Sequence, residues 1–241
     1  MKNAVLWVRS LVFVVLFFGW TFILQIALLW TLVMPKKVLF WCIHRWQTQL
    51  GWLERNIVGI DYRVIGRGNI PEGACIIAAK HESAWETCKL HVLFGNPAIV
   101  LKEELERVPI WGWYGKATGV IPIDRGSGGK ALVKMKKAAQ ERAAEGRKIV
   151  IFPQGTRLLP GVRKPYKVGV AALYQELNLP VVPMALNSGL FWPKTRFIKT
   201  PGTITIEFLP PIPPGLTRSE MMRELETRLE AASDRLAGIT A

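Results

Sequence analysis

Residues 11–34, LVFVVLFFGWTFILQIALLWTLVM, carry no charged side chain. About 20 such residues span a hydrocarbon core as an α-helix, so the run predicts a membrane-embedded helix. A secretory signal is a poorer match. Its apolar run is about 7–15 residues and is followed by a small-residue cleavage site of the A-x-A kind, which is missing here. Basic residues flank both sides, Lys2 and Arg9 before and Lys36, Lys37 and Arg45 after. The positive-inside rule therefore favours the second side only slightly, and spanning and re-entrant helices both fit.

After Pro35, KKVLFWCIHRWQTQLGWLERNIVGI alternates Trp41, Trp46 and Trp52 with Lys36, Lys37, Arg45 and Arg55. Indole rings and snorkelling basic stems suit the headgroup layer. Helix, Pro turn and amphipathic helix predict an anchoring hairpin over residues 1–60, ahead of one catalytic domain at 61–241. An ordinary helix packed on that domain fits the same pattern, and the two readings overlap.

Lys and Arg number 32 against 18 Asp and Glu, a net charge of +14, so the partners should be anionic. An anionic membrane surface or a phosphorylated substrate fits. Nucleic acid is set aside, because no zinc-finger or other nucleic-acid motif accompanies the charge. Cys42, Cys75 and Cys88 show neither C-x-x-C spacing nor a Cys/His pair at zinc-ligand spacing, so neither structural disulfides nor a metal is expected.

From Tyr62 the pattern becomes that of an α/β domain. The predicted strands are YRVIG, ACIIAAK, AIVLK, GVIPI, KIVIF, VVPMAL and TITIEFL. Helices are predicted over 84–94, 130–145, 169–177 and from Ser219 onward. Thr217 and Glu220 form a capping box for the last, which should be a solvated helix without chemistry.

Four predicted strands end in reactive or anion-binding residues: His81, Lys102, Asp124-Arg125, and Gln154-Gly155-Thr156-Arg157. Ligands of α/β sheets bind beyond the carboxyl ends of strands, so these groups should meet in one crevice. Glu86 stands five residues after His81, within reach of its Nδ1–H, leaving Nε2 free as a base. That spacing alone also describes a structural histidine; Lys80, Ser83 and the basic strand ends favour catalysis. His44 and His91 are assigned to packing or the interface. No G-x-S-x-G elbow occurs, and Ser83, Ser127 and Ser188 lack a nucleophile's setting. The base would activate a hydroxyl brought by the substrate. RGSGGK over 125–130 fails the P-loop pattern at Asp124 and Ala131, leaving either a phosphate-binding turn or a plain connection.

Together KHESAWE, GVIPIDR, FPQGTR and VVPMALNSG, in order over residues 80–189 with VLKEEL between the first two, resemble the lysophosphatidic acid acyltransferases of the PlsC type. The resemblance implies a glycerolipid acyltransferase fold, a mixed α/β sheet flanked by helices, with an acyl tunnel opening toward the bilayer. It implies transfer of a fatty acyl group from acyl-CoA or acyl-carrier protein to the sn-2 hydroxyl of 1-acyl-glycerol-3-phosphate, giving phosphatidic acid. Other acceptors (glycerol-3-phosphate, a lysophospholipid or a lyso-ornithine lipid) and a non-catalytic lipid-binding relative are the alternatives. His81 becomes the general base and Glu86 its orienting carboxylate. Lys102, Arg125 and Arg157 would bind phosphate, and Gln154, Gly155 and Thr156 shape the loop. No cofactor is implied, and the location is the membrane, at the cytoplasmic face of a bacterial inner membrane. Glu86 stands where the family has Asp. Gln154 stands where it has Glu, which should leave Arg157 without an anionic neighbour and the site more positive.

Overall fold

The computed structural model describes residues 2–124 and 128–239. The apolar run folds as α1 (Lys2–Ala27), followed by a 3-10 turn at Leu29–Val33. Beyond Pro35, α2 (Lys36–Leu53) runs on through a π turn to Val58, and Gly59 ends it in the left-handed region at φ 73°. Two indoles join the helices across the hairpin, Trp20 Nε1 donating to Gln49 Oε1 and Trp46 Nε1 to Thr21 Oγ1.

The strands form where expected: β1 (Ile60–Ile65), β2 (Ile76–Ala79), β3 (Ala98–Lys102), β4 (Ile121–Ile123), β5 (Ile149–Ile151), β6 (Val181–Leu186) and β7 (Gly202–Phe208). Among the described residues they make one seven-stranded sheet, ordered β1-β7-β6-β2-β5-β3-β4. The contiguous strands β6, β2, β5, β3 and β4 are all parallel. Their carboxyl ends therefore share one edge. β7 runs antiparallel to β6, and β1 parallel to β7, which makes the sheet mixed.

β2, β5 and β6 are buried along their whole length, as parallel strands covered on both faces must be. The period of two along β2 sends Ile76 and Ala78 into one core and Ile77 and Ala79 into another. The first core is closed by α5 (Gly128–Ala144), α6 (Val168–Leu177) and α8 (Arg218–Ala237), through Met135, Leu173, Leu225 and Leu229. Phe13, Trp85, Leu90 and Trp192 fill the second, under the hairpin and α3 (Leu90–Phe94).

Two helices, α4 (Trp111–Thr118) and the short α7 (Ser188–Phe191), were not predicted. In α4 the sequence WGWYGKAT carries helix-weakening glycines, yet Gly112 is required: a Cβ there would meet Glu106 O at 2.1 Å. The helix predicted over 84–94 shrinks to a 3-10 turn at Glu86–Lys89 plus α3. Its first turn is lost because Glu86 binds backbone N–H groups upstream of itself. The capping box of α8 forms as expected, with Thr217 Oγ1 accepting the Glu220 N–H and the Glu220 carboxylate accepting the Thr217 N–H.

Candidate active site

The parallel ladder ends at Lys80, whose N–H donates to Met184 O at 2.9 Å, and His81 projects beyond it. His81 Nδ1 lies 2.7 Å from Glu86 Oε1. The same oxygen accepts the N–H groups of Glu82 and Ser83, both at 2.8 Å, and Ser188 Oγ donates to Oε2 at 2.8 Å. Glu86 is fully buried, so these donors replace the water it lost. A carboxylate against Nδ1 holds the proton there and leaves Nε2 as the basic nitrogen. Among the described residues Nε2 has no hydrogen-bond partner, and the ring keeps 16% of its side-chain surface exposed. In the same turn Ser83 Oγ accepts the Trp85 N–H at 3.1 Å.

β5 ends beside β2, and its loop folds over the histidine. Phe152 stacks on the His81 ring with centroids 4.0 Å apart, and Leu158 N donates to His81 O at 2.9 Å. Gly155 turns the loop at φ 69°, its N–H donating to Phe152 O. Arg157 is half-buried and, among the described residues, its guanidinium makes no ion pair. Thr156 is likewise half-buried beside it.

Lys102 ends β3, two strands from β2 and so about 10 Å along the same edge. It is exposed and paired with Glu104 at 2.8 Å. Arg125 lies outside the described residues, as does the start of the 125–130 turn. His91 is buried, stacked on Phe40, and burial holds its imidazole down at about 4. This fits packing.

The site is not uniformly positive. Gln154 is buried and donates to Glu230 Oε1 at 3.2 Å, so α8, expected to lack chemistry, delivers a carboxylate under the site. Glu82 is a second one, fully buried, with Oε2 accepting the Gly189 N–H at 2.9 Å and, among the described residues, Oε1 unpartnered. Burial, with smaller contributions from the Glu86 and Glu230 charges, pushes its carboxyl up to about 8. Ser188, rejected as a nucleophile, turns out to orient Glu86. Only the neighbouring NSG of the fourth motif hinted at its presence in the site.

A cavity of about 530 Å³ opens between α1, α2, β3 and α4, of a size suited to a lipid-like ligand. Its wall is largely apolar, including Phe18, Leu24, Leu28 and Ile99, and it reaches Thr87 and Cys88, which directly follow Glu86. A His–carboxylate pair at the sheet's carboxyl edge, near an apolar cavity, is an arrangement that could serve transfer of an acyl chain to a hydroxyl.

The family model described as Acyltransferase matches residues 61–187. A 1-acyl-sn-glycerol-3-phosphate acyltransferase of Pseudomonas aeruginosa is 38% identical over 199 residues, 82% of this chain and 77% of that relative. The protein of that name from Saccharomyces cerevisiae is 27% identical over 65% of this chain and 53% of its own length. The human alpha form is 30% identical over 68% of this chain and 60% of its own. Among solved structures, the crystal structure of the 1-acyl-sn-glycerophosphate acyltransferase PlsC from Thermotoga maritima superposes with a TM-score of 0.72 at 21% identity. It covers 100% of this chain and 98% of that one.

Proposed function

The chain belongs to the acyltransferase family, and from that premise we propose that it acylates lysophosphatidic acid to phosphatidic acid at a membrane surface. The observation that carries the reading is the His81–Glu86 pair at the shared carboxyl edge of five parallel strands, beside an apolar cavity.

In the proposed reaction His81 Nε2 takes the proton of the sn-2 hydroxyl while that oxygen attacks the thioester carbonyl. Collapse of the tetrahedral intermediate forms the ester and breaks the C–S bond. The imidazolium then returns its proton to the departing thiolate. Glu86 stabilises the imidazolium and keeps the ring in place. Transfer is direct, because Ser188 is fully buried with its hydroxyl donating to Glu86. Arg157 grips the acceptor phosphate, with Lys102 and Arg125 adding charge along the edge. The cavity takes an acyl chain, and the thioester is acyl-CoA or acyl-carrier protein; no cofactor is invoked. The membrane is the cytoplasmic face of a bacterial inner membrane, with a net charge of +14 favouring anionic lipid.

The test is acyl transfer from a thioester to lysophosphatidic acid by purified protein and by His81→Ala. Loss of roughly 10²–10⁴-fold in the variant, the worth of a general base, is expected. Near-native turnover by His81→Ala would overturn the mechanism.

A further inference from the structure

Lys80 precedes the histidine and is 2% exposed, a position where an ammonium needs a partner. Its Nζ lies 2.7 and 2.6 Å from the two oxygens of Glu230, itself 2% exposed, on α8. Glu230 Oε1 also accepts Gln154 Nε2 at 3.2 Å and Tyr166 Oη at 2.7 Å. One carboxylate from the C-terminal helix thus joins the end of β2, the loop after β5 and the segment that returns from that loop. These pieces meet again above it, where Leu158 N donates to His81 O and Phe152 stacks on the ring.

Stability is a weak reason for such a pair. Replacing a buried ion pair by apolar residues is often neutral, whereas removing one partner is costly. What an apolar pair cannot reproduce is direction: three donors of different length converge on one carboxylate and so fix the loop relative to the strand. The cluster also supplies, from 230, the negative charge that the loop itself lacks at Gln154.

We infer that Glu230 is a positioning residue for acyl transfer, holding the loop that carries Gly155 to Arg157 in register with His81; this rests on the acyltransferase reading above. A shift of about 1 Å between base and acceptor site can cost about 10²-fold in rate. Glu230→Gln leaves Lys80 without a counter-charge and lets the loop drift, so the expected loss in kcat is about 10–100-fold.

The experiment compares kcat, KM and melting temperature for three variants of the full chain. Glu230→Gln should lose kcat as stated. Adding Gln154→Glu restores one carboxylate, one amide and one ammonium to the cluster with the roles exchanged, and should recover most of the lost kcat. Lys80→Met/Glu230→Leu removes both charges and should melt near the native temperature yet turn over slowly. Native kcat in Glu230→Gln or in the apolar pair overturns the inference, as does an exchanged variant that melts natively but regains nothing. If the native chain itself fails to turn over lysophosphatidic acid, the acyltransferase reading falls, and this inference with it.

Discussion

Four donors converge on the fully buried Glu86 carboxylate, His81 among them, and three of the four come from its own turn. That local part was legible: a His and a carboxylate five residues apart at the end of a strand. Ser188 was not, because it arrives from 102 residues away and its role depends on β6 lying beside β2. Glu82 shows a cost of the same crowding. Its carboxyl titrates at about 8 in the folded chain against an ordinary 4.5. Between those values the native state holds a proton that the unfolded state releases. The neutral form therefore contributes stability that is fully present below about pH 4.5, is lost as pH rises, and levels off above about 8, at roughly 1.4 kcal/mol per pH unit. Glu82→Gln keeps an acceptor for the Gly189 N–H and removes the titration. It should match the native protein near pH 4.5 and melt clearly higher at pH 8.5. A difference in melting temperature that is the same at both pH values would refute a neutral native carboxyl.

At the scale of elements, strands read well because each is an apolar run between glycine, proline or charge, while helices read well only where their periodicity is long. α5, α6 and α8 lie within two residues of their expected starts. The buried carboxylate that α8 brings to the sheet was missed, since Glu230 looks like one more surface Glu until the fold brings it to Lys80. The hairpin's attachment was equally invisible. Gln47 Oε1 accepts the N–H groups of His91 and Val92, at 3.0 and 3.2 Å. Glu54, buried at the end of α2, pairs with Lys89 Nζ at 2.7 Å and accepts Trp85 Nε1 at 2.9 Å. These contacts hold the chain on both sides of Glu86, at Trp85 before it and at Lys89, His91 and Val92 after it. Glu54→Leu strands a buried ammonium and should lower stability by about 3–5 kcal/mol. Glu54→Leu/Lys89→Met removes the lone charge and should recover a large part of that loss. Thermal melts in detergent decide it: a double variant no more stable than Glu54→Leu would mean the pair has little coupling.

At the scale of the whole molecule, α1 has two working faces. Its span Asn3–Ala27 has a mean hydropathy of 2.2 and is long enough to cross a bilayer, yet it is tied into the domain. Phe13 is fully buried against Trp192, and Ser10 Oγ accepts the Lys199 N–H at 2.9 Å. Further along, Leu24 and, just past the end of the helix, Leu28 wall the cavity that reaches the residues after Glu86. The other face carries Val8 and Val15, two turns apart and 54% and 61% exposed. A bare tether would make both faces serve membrane binding alone. A helix that is both anchor and wall predicts a split. Val8→Asp/Val15→Asp places two charges on the outer face, at about 2.5–3.5 kcal/mol each at membrane depth. It should weaken sedimentation with vesicles and turnover of bilayer substrate, and leave turnover in detergent near native. Leu24→Trp adds bulk to the cavity wall without adding charge. It should keep native vesicle binding and, in detergent, shift the kcat/KM ratio toward shorter acyl thioesters. Measuring both variants against vesicles and against a series of thioester lengths separates the faces. A Leu24→Trp protein with the native chain-length ratio would remove α1 from the cavity's function, and native vesicle binding by the Asp variant would place the membrane contact on another surface.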